Sequence, residues 1–192
     1  CETMLLYSCK PVKTEKKQKG DDVDTEKLLQ GISAGDKASL EQLYLRTSSA
    51  VYGFALSILK NAHDAEDVLH DCYIAVWENA ADYRPQGKPL AWILTITKNL
   101  CMQLLRGRKR NSELAEDDWE PYFTDADSIS VEDRCILGLC MEKLDDSERQ
   151  IVSLHAITGL RHREIASILG LPLSTVLSKY TRALKKLRKH LQ

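Results

Sequence analysis

The chain has 192 residues, of which 43% are hydrophobic and 29% are charged, and its formal net charge is -1. This composition excludes a polyelectrolyte too polar to fold, and the length fits one domain or two small ones. A near-neutral total would argue against a nucleic-acid partner, but it hides how the charges are distributed along the chain.

The first residues carry lysines but no apolar period, so we predict that residues 1–22 form a tail that is disordered or was added to the natural chain. No apolar run approaches the length of a membrane span, and we expect no membrane insertion. The six cysteines follow no secretory signal, and two of them fall inside helical patterns. We therefore expect reduced thiols in a cytoplasmic protein.

The next segments have helical periodicity. Apolar residues between Thr25 and Leu59 predict two helices with a break near "AGDKAS". A third helix is predicted to begin at Asp64, with an apolar stripe on one face and acids on the other. The stretch "YRPQGKP" predicts a loop, and Pro89 fits the first turn of the following helix, whose buried side includes Trp92.

Charge alternates in blocks along this region and beyond. Asp64 to Asp82 holds six acids and no Lys or Arg, whereas Arg84 to Arg110 holds seven cations and no acid. Residues 111–135 then carry nine acids and one base, and Ser174 to His190 carries six cations and no acid. Such blocks predict several surfaces with different partners.

These patterns divide the chain into four parts. The tail of residues 1–22 is followed by a helical domain at 23–110, an acidic linker at 111–134 and a second helical domain at 135–192. Trp119, Tyr122 and Phe123 give the linker aromatic residues that could dock elsewhere. No segment shows the alternation of a strand, so the fold class is all-α with two helical domains.

The second domain contains a helix-turn-helix pattern. Asp145 and Glu148 have capping-box spacing, and residues 163–169 predict a short helix that ends at Gly170. Pro172 stops that helix and Ser174 is predicted to cap the next one. Ala166, Gly170 and Val176 then supply a small contact residue, a turn and an apolar plug.

The outward side of the last predicted helix carries polar residues first and cations afterwards, which is typical of a helix that reads base edges and neutralises phosphates in a major groove. Its predicted contacts with duplex DNA are Ser174, Thr175, Ser178, Lys179, Arg182, Lys185 and Lys186. An ordinary helical hairpin with a solvated basic face is the alternative.

The first domain contains motifs that indicate what kind of DNA-binding protein this is. "DAEDVLHDCYIAVWENAADY" followed by "KPLAWILTITKNLCMQLLRGRKR" resembles the promoter-melting domain of extracytoplasmic-function sigma factors of bacterial RNA polymerase, in the sigma-70 family. "EIASILGLPLSTV" and "RALKKLRK" resemble the promoter-binding domain of that family. The two motifs stand in the order of the family.

The resemblance implies two further binding surfaces in the first domain. An acidic helix would dock on the clamp helices of the largest subunit of core RNA polymerase through Asp64, Asp67, Leu69, Asp71, Tyr73, Trp77 and Glu78. The next loop and helix would open the minus-ten promoter element and hold its displaced bases through Tyr83, Arg84, Lys88, Trp92, Lys98, Asn99, Arg106 and Arg108. For Trp92, a role in the core is the favoured alternative.

Some residues depart from the pattern of the family. Leu177 stands where the family commonly has a cation, and His70 stands where a Gln is frequent. The first difference bears on which upstream promoter element is recognised, and the second bears on the polymerase contact.

The resemblance implies a transcription initiation factor with promoter DNA, core RNA polymerase and an anti-sigma factor as partners. A stand-alone helix-turn-helix regulator is the alternative, followed by a protein of this fold that only sequesters a partner. The sequence contains no phosphate-binding glycine loop, nucleophile elbow or paired short cysteine spacing, so we expect no enzyme, no cofactor and no metal.

Overall fold

The computed structural model describes residues 15–85, 87–111 and 141–190. All its regular elements are helices, which confirms the all-α expectation. In chain order they are α1 (Glu15–Ser33), α2 (Lys37–Leu59), α3 (Ala62–Asn79), a 3-10 turn (Ala80–Asp82), α4 (Pro89–Asn111), α5 (Asp146–Thr158), α6 (His162–Leu169) and α7 (Leu173–His190). The predicted linker after Asn111, with Trp119, Tyr122 and Phe123, lies outside the described residues, as do residues 1–14 and the start of the second domain.

The first two helices meet at a tight turn. Asp36 caps α2 by accepting from the backbone N–H groups of Ala38 and Ser39, at 3.0 and 3.1 Å. A Cβ at Gly31 would lie 2.3 Å from Ser39 Oγ and 3.0 Å from Ser39 Cβ, so a larger residue there would require the Ser39 side chain to move. The helix α1 begins at Glu15, inside the range predicted as a tail.

The boundaries of α3 and α4 follow local signals. Asn61 caps α3 by accepting from the N–H of Asp64, so the helix begins two residues before the predicted start. Pro89 is the first residue of α4, as predicted. A proline is favourable there because the first turn of a helix needs no N–H donor.

The second half contains the predicted helix-turn-helix. Asp145 and Glu148 form the capping box that begins α5. Gly170 has φ +68° and ends α6, so its left-handed backbone is the predicted bend. The prediction that Ser174 caps α7 is wrong: α7 begins at Leu173, and the carbonyl of Pro172 accepts from the N–H groups of Thr175 and Val176.

One apolar core runs through both halves of the described chain. It contains Phe54 and Ile93 from the first half and Ile151, Ile165 and Val176 from the second, all at most 1% exposed. A smaller cluster between α5 and α7 is made by Leu144, Val152, Ala183 and Leu187. Burial of apolar side chains therefore packs the two halves against each other, as it also stabilises the helices within each half.

The two buried cysteines of the first half are shielded from solvent. Burial raises the pKa of Cys72 to about 11 and that of Cys101 to about 12, so both stay protonated thiols at neutral pH. In the described part of the chain, no cluster of three or more His, Cys, Asp or Glu side chains could hold a metal ion. No helix in those residues is long and apolar enough to cross a bilayer.

Candidate nucleic-acid interface

The turn between α6 and α7 has the geometry that its spacing predicted. The N–H of Leu171 donates to the carbonyl of Ala166 at 3.0 Å, which closes the end of α6. Ala166 is buried where the helices approach, and Val176 is fully buried as the plug. The turn therefore fixes the angle at which α7 is presented to solvent.

The exposed side of α7 is polar near its start and basic near its end. The predicted residues Ser174, Ser178, Arg182 and Lys185 lie on it, whereas Thr175 is half-buried. Other members of the exposed side are Leu177, which is 45% exposed, Thr181, Arg188 and Lys189. Thr181 was missed although it follows Ser174 and Ser178 at helical spacing. Leu177 places an apolar side chain among the polar residues of this side.

Two predicted DNA-binding lysines instead face the N-terminal end of α5. Lys179 Nζ lies 3.2 Å from Asp145 Oδ2, and Lys186 Nζ lies 2.6 Å from Glu148 Oε2. Glu148 is fully buried, and Arg182 Nη1 lies 4.0 Å from its other oxygen. Burial alone would raise the pKa of Asp145, but the N–H of Glu148 and the ammonium of Lys179 outweigh it and lower that pKa. These ion pairs engage two cations of α7 at the surface between α7 and the start of α5.

An aromatic cluster joins the three helices of this domain behind the exposed face of α7. The rings of His155 and His162 stack with centroids 4.8 Å apart, and Tyr180 meets both rings edge-on at 5.0 and 4.7 Å. Burial, followed by the nearby His155, lowers the pKa of His162. The neutral imidazole is therefore favoured in the folded domain.

The loop before α4 is exposed and basic. Arg84 and Lys88 project into solvent, while Tyr83 packs on Trp92 with ring centroids 5.2 Å apart. Trp92 is half-buried and packs against the core, so its ring supports the loop. Glu26 of α1 accepts hydrogen bonds from Tyr83 Oη and from the N–H of Gly87.

The cations of α4 differ in what they contact. Arg106 is exposed, as is the neighbouring polar residue Asn99. Lys98 Nζ donates to the carbonyl of Ile168 at the end of α6, at 2.8 Å. Arg108 donates to Asp64 Oδ1 at 2.5 Å, and Asp64 is buried. Lys98 and Arg108 are therefore engaged within the protein.

The acidic side of α3 keeps part of the surface predicted to bind polymerase. Asp67, Asp71 and Glu78 are exposed, and Ile74, which the sequence reading missed, is 57% exposed among them. Asp67, Asp71, Ile74 and Glu78 therefore form one exposed stripe along α3, with an apolar side chain between acids. The hydropathy stripe gave no signal for Ile74 because it stands on the polar side.

The four other members of that prediction are buried or half-buried. Leu69 and Tyr73 are buried, and the hydroxyl groups of Tyr73 and Thr47 are 2.6 Å apart in a hydrogen bond. Burial raises the pKa of Tyr73. Asp64 faces Arg108, and Trp77 is half-buried against the core. Leu69 and Tyr73 are thus corrected to core residues, because the apolar stripe of an amphipathic helix packs inward.

Comparison with known families finds two matches in the chain. The family described as Sigma-70 region 2 matches residues 43–111, and the family described as Sigma-70, region 4 matches residues 136–187. The structure described as CnrH in complex with the cytosolic domain of CnrY has a TM-score of 0.64 at 25% identity, covering 88% of this chain and 97% of that one. The sigma factor RpoE, solved with the anti-sigma factor NepR from Bartonella quintana, has a TM-score of 0.66 at 22% identity, covering 79% and 95%.

Relatives of known name agree with these matches. The ECF RNA polymerase sigma factor SigK of Mycobacterium ulcerans (strain Agy99) is 31% identical over 173 residues, covering 86% of this chain and 92% of that protein. SigK of Mycobacterium tuberculosis (strain ATCC 25618 / H37Rv) is 27% identical over 172 residues, with the same coverage. The similarity extends over nearly the full length of both relatives.

Proposed function

The chain belongs to the extracytoplasmic-function sigma factors of the sigma-70 family, and we propose from this that it binds core RNA polymerase and directs it to specific promoters. In this proposal α7 recognises the upstream element as duplex, and the loop before α4, with α4 itself, helps to melt the minus-ten element. The polymerase performs the chemistry of RNA synthesis, and this chain acts by binding.

One observation carries the proposal: a single chain presents two separate basic surfaces and one acidic surface. The exposed side of α7 offers hydroxyl groups followed by cations, which suits base edges and phosphates of a duplex. The second basic surface has Arg84 and Lys88 in the loop before α4 and Arg106 further along that helix, an extended arrangement that suits a single strand. A regulator that acts alone on duplex DNA has no use for the second surface.

The acidic surface supports the polymerase as the partner. Asp67, Asp71 and Glu78 lie on the same exposed stripe of α3 as Ile74. Acids at the rim steer a basic partner toward the site, and the apolar residue gains free energy when it is desolvated. In this proposal the surface docks on the clamp helices of the largest polymerase subunit.

An anti-sigma factor is the second proposed partner. Both structural neighbours were solved with a second protein, and one of these proteins is described as an anti-sigma factor. Such a partner would keep the chain from the polymerase until it is released.

The test is transcription with purified components. Core polymerase and this chain, incubated with fragments of the source genome, should give transcripts whose mapped starts share upstream and minus-ten sequences. Neutralising Arg182 and Lys185 should reduce these transcripts, whereas Lys27→Gln, at an exposed cation on α1, should not. No transcript from any fragment would overturn the proposal. Tight operator binding without core polymerase would favour the stand-alone regulator.

A further inference from the structure

One carboxylate holds both ends of the loop before α4. Glu26 Oε1 accepts from Tyr83 Oη at 3.0 Å and from the backbone N–H of Gly87 at 2.7 Å. Glu26 is 57 and 61 residues away from these two donors along the chain. Hydrogen bonds to an ionised carboxylate are short and strong, so the two contacts fix the distance across the loop.

The support for Glu26 is itself rigid. Its neighbour Thr25 is 7% exposed, and Leu29 and Ile32 on the same helix are 1% and 2% exposed in the core. The helix α1 therefore cannot shift relative to α4 without exposing apolar surface. Glu26 also lies outside residues 43–111, the part that matches Sigma-70 region 2.

The loop adopts a conformation that benefits from such support. Gly87 has φ +68°, a left-handed backbone, and its N–H points at the carboxylate. The Tyr83 ring packs on Trp92, so its hydroxyl reaches Glu26 from the other end. Between and beside these points, Arg84 and Lys88 stay exposed.

A carboxylate beside a single-strand site is unfavourable for phosphate binding, because like charges repel. The two hydrogen bonds that Glu26 accepts from the loop offset this repulsion by stabilising the loop conformation. We propose that Glu26 is a positioning residue for strand capture: it holds the loop in the shape that presents Arg84 and Lys88 to the displaced strand, without contacting DNA itself. This inference rests on the proposed function.

The proposal predicts a loss confined to promoter opening. Replacing Glu26 by Ala removes two charge-assisted hydrogen bonds, and we expect promoter opening to fall on the order of tenfold. Glu26→Gln keeps an acceptor oxygen in the same place, so it should retain most of the opening. Tyr83→Phe removes one donor and keeps the ring on Trp92, so its loss should lie between these two.

The experiment uses holoenzyme assembled from full-length variants and core polymerase, on a promoter recovered from mapped transcripts. Permanganate oxidation of unpaired thymines measures opening, and binding to a duplex fragment with only the upstream element measures the other DNA surface. Lys27→Ala, the neighbouring exposed residue, is the matched control. Urea unfolding of each free variant reports on its fold.

The expected result is reduced opening for Glu26→Ala with upstream binding and the Lys27→Ala control unchanged. Opening at the level of the unsubstituted protein in both Glu26→Ala and Tyr83→Phe overturns the inference. Equal losses in opening, upstream binding and stability also overturn it, because Glu26 would then act only in folding. If Glu26→Ala does not fold, promoter opening by the Tyr83→Phe holoenzyme tests the inference instead. The proposed function itself fails separately, when holoenzyme with the unsubstituted chain opens no promoter.

Discussion

Two adjacent lysines of α7 should have opposite roles. Lys185 is exposed and makes no ion pair within the described part of the chain, whereas Lys186 pairs at 2.6 Å with the buried Glu148. Replacing each by Gln removes one positive charge and changes the side-chain length little. We expect Lys185→Gln to weaken DNA binding and Lys186→Gln to destabilise the domain.

The magnitudes follow from these contacts. A lysine that neutralises one phosphate contributes about 0.9 to the slope of log affinity against log salt, which is about fivefold in affinity at 0.15 M salt relative to 1 M. Lys185→Gln should lose that amount. Removing one partner of a buried ion pair costs about 3–5 kcal/mol, and here about 2 kcal/mol is expected because Lys186 is partly exposed and Arg182 stays near Glu148.

Two measurements separate the variants. Binding of each holoenzyme to promoter DNA, titrated from low to high salt, should give a slope smaller by about one for Lys185→Gln and nearly unchanged for Lys186→Gln. Urea unfolding of the free proteins should show the reverse order in stability. Equal salt slopes with equal stabilities would refute the reasoning, because the ion pair with Glu148 would then not distinguish the two lysines.

Three further results are expected from unfolding measurements. Tyr73→Phe should lower the free energy of unfolding by about 1 kcal/mol, because it removes the buried hydrogen bond between Tyr73 and Thr47 while Thr47 still donates to the carbonyl of Leu43; an unchanged urea midpoint would contradict this. Gly170→Ala should cost about 1–2 kcal/mol at φ +68°, seen as a lower thermal midpoint. The pKa of His162 is lowered by burial and by His155, so the unfolded chain binds the proton more readily, and the free energy of unfolding should fall as pH drops below 6.5. His162→Gln should flatten that dependence, and parallel pH profiles would exclude His162 as its source.

Local signals predicted the elements well because their causes are local. Pro89 begins α4, Asp145 caps α5, and Gly170 ends α6, and each of these depends on backbone geometry within four residues. Ser174 failed as a cap because Pro172 already supplies the first acceptor carbonyl, so α7 starts two residues earlier than a cap at Ser174 would place it. Pro172 and Ser174 are both typical residues for the start of a helix, and the sequence alone did not show which of them begins α7.

The surfaces were predicted less well, because whether a side chain is exposed depends on residues that are distant in the sequence. Tyr73 was predicted to lie on the contact face of α3, but its hydroxyl forms a buried hydrogen bond with Thr47 of α2. Lys98 and Arg108 have the charge that DNA requires, yet Ile168 and Asp64 engage them. Composition and periodicity identify which residues face outward on a helix, but not which helix lies opposite.

The spacing of the cations in α7 shows how a shift of one residue changes their role. Lys179 and Lys186 are seven residues apart, so they lie on one line of the helix, and that line faces the acids at the start of α5. Ser178 and Lys185 are also seven apart and lie on the neighbouring line, which faces solvent. Of the six cations of α7, four are exposed: Arg182, Lys185, Arg188 and Lys189. Because Lys179 and Lys186 pair with acids of the same domain, the salt slope of upstream binding should be smaller than the value of about 5.4 that six phosphate contacts would give.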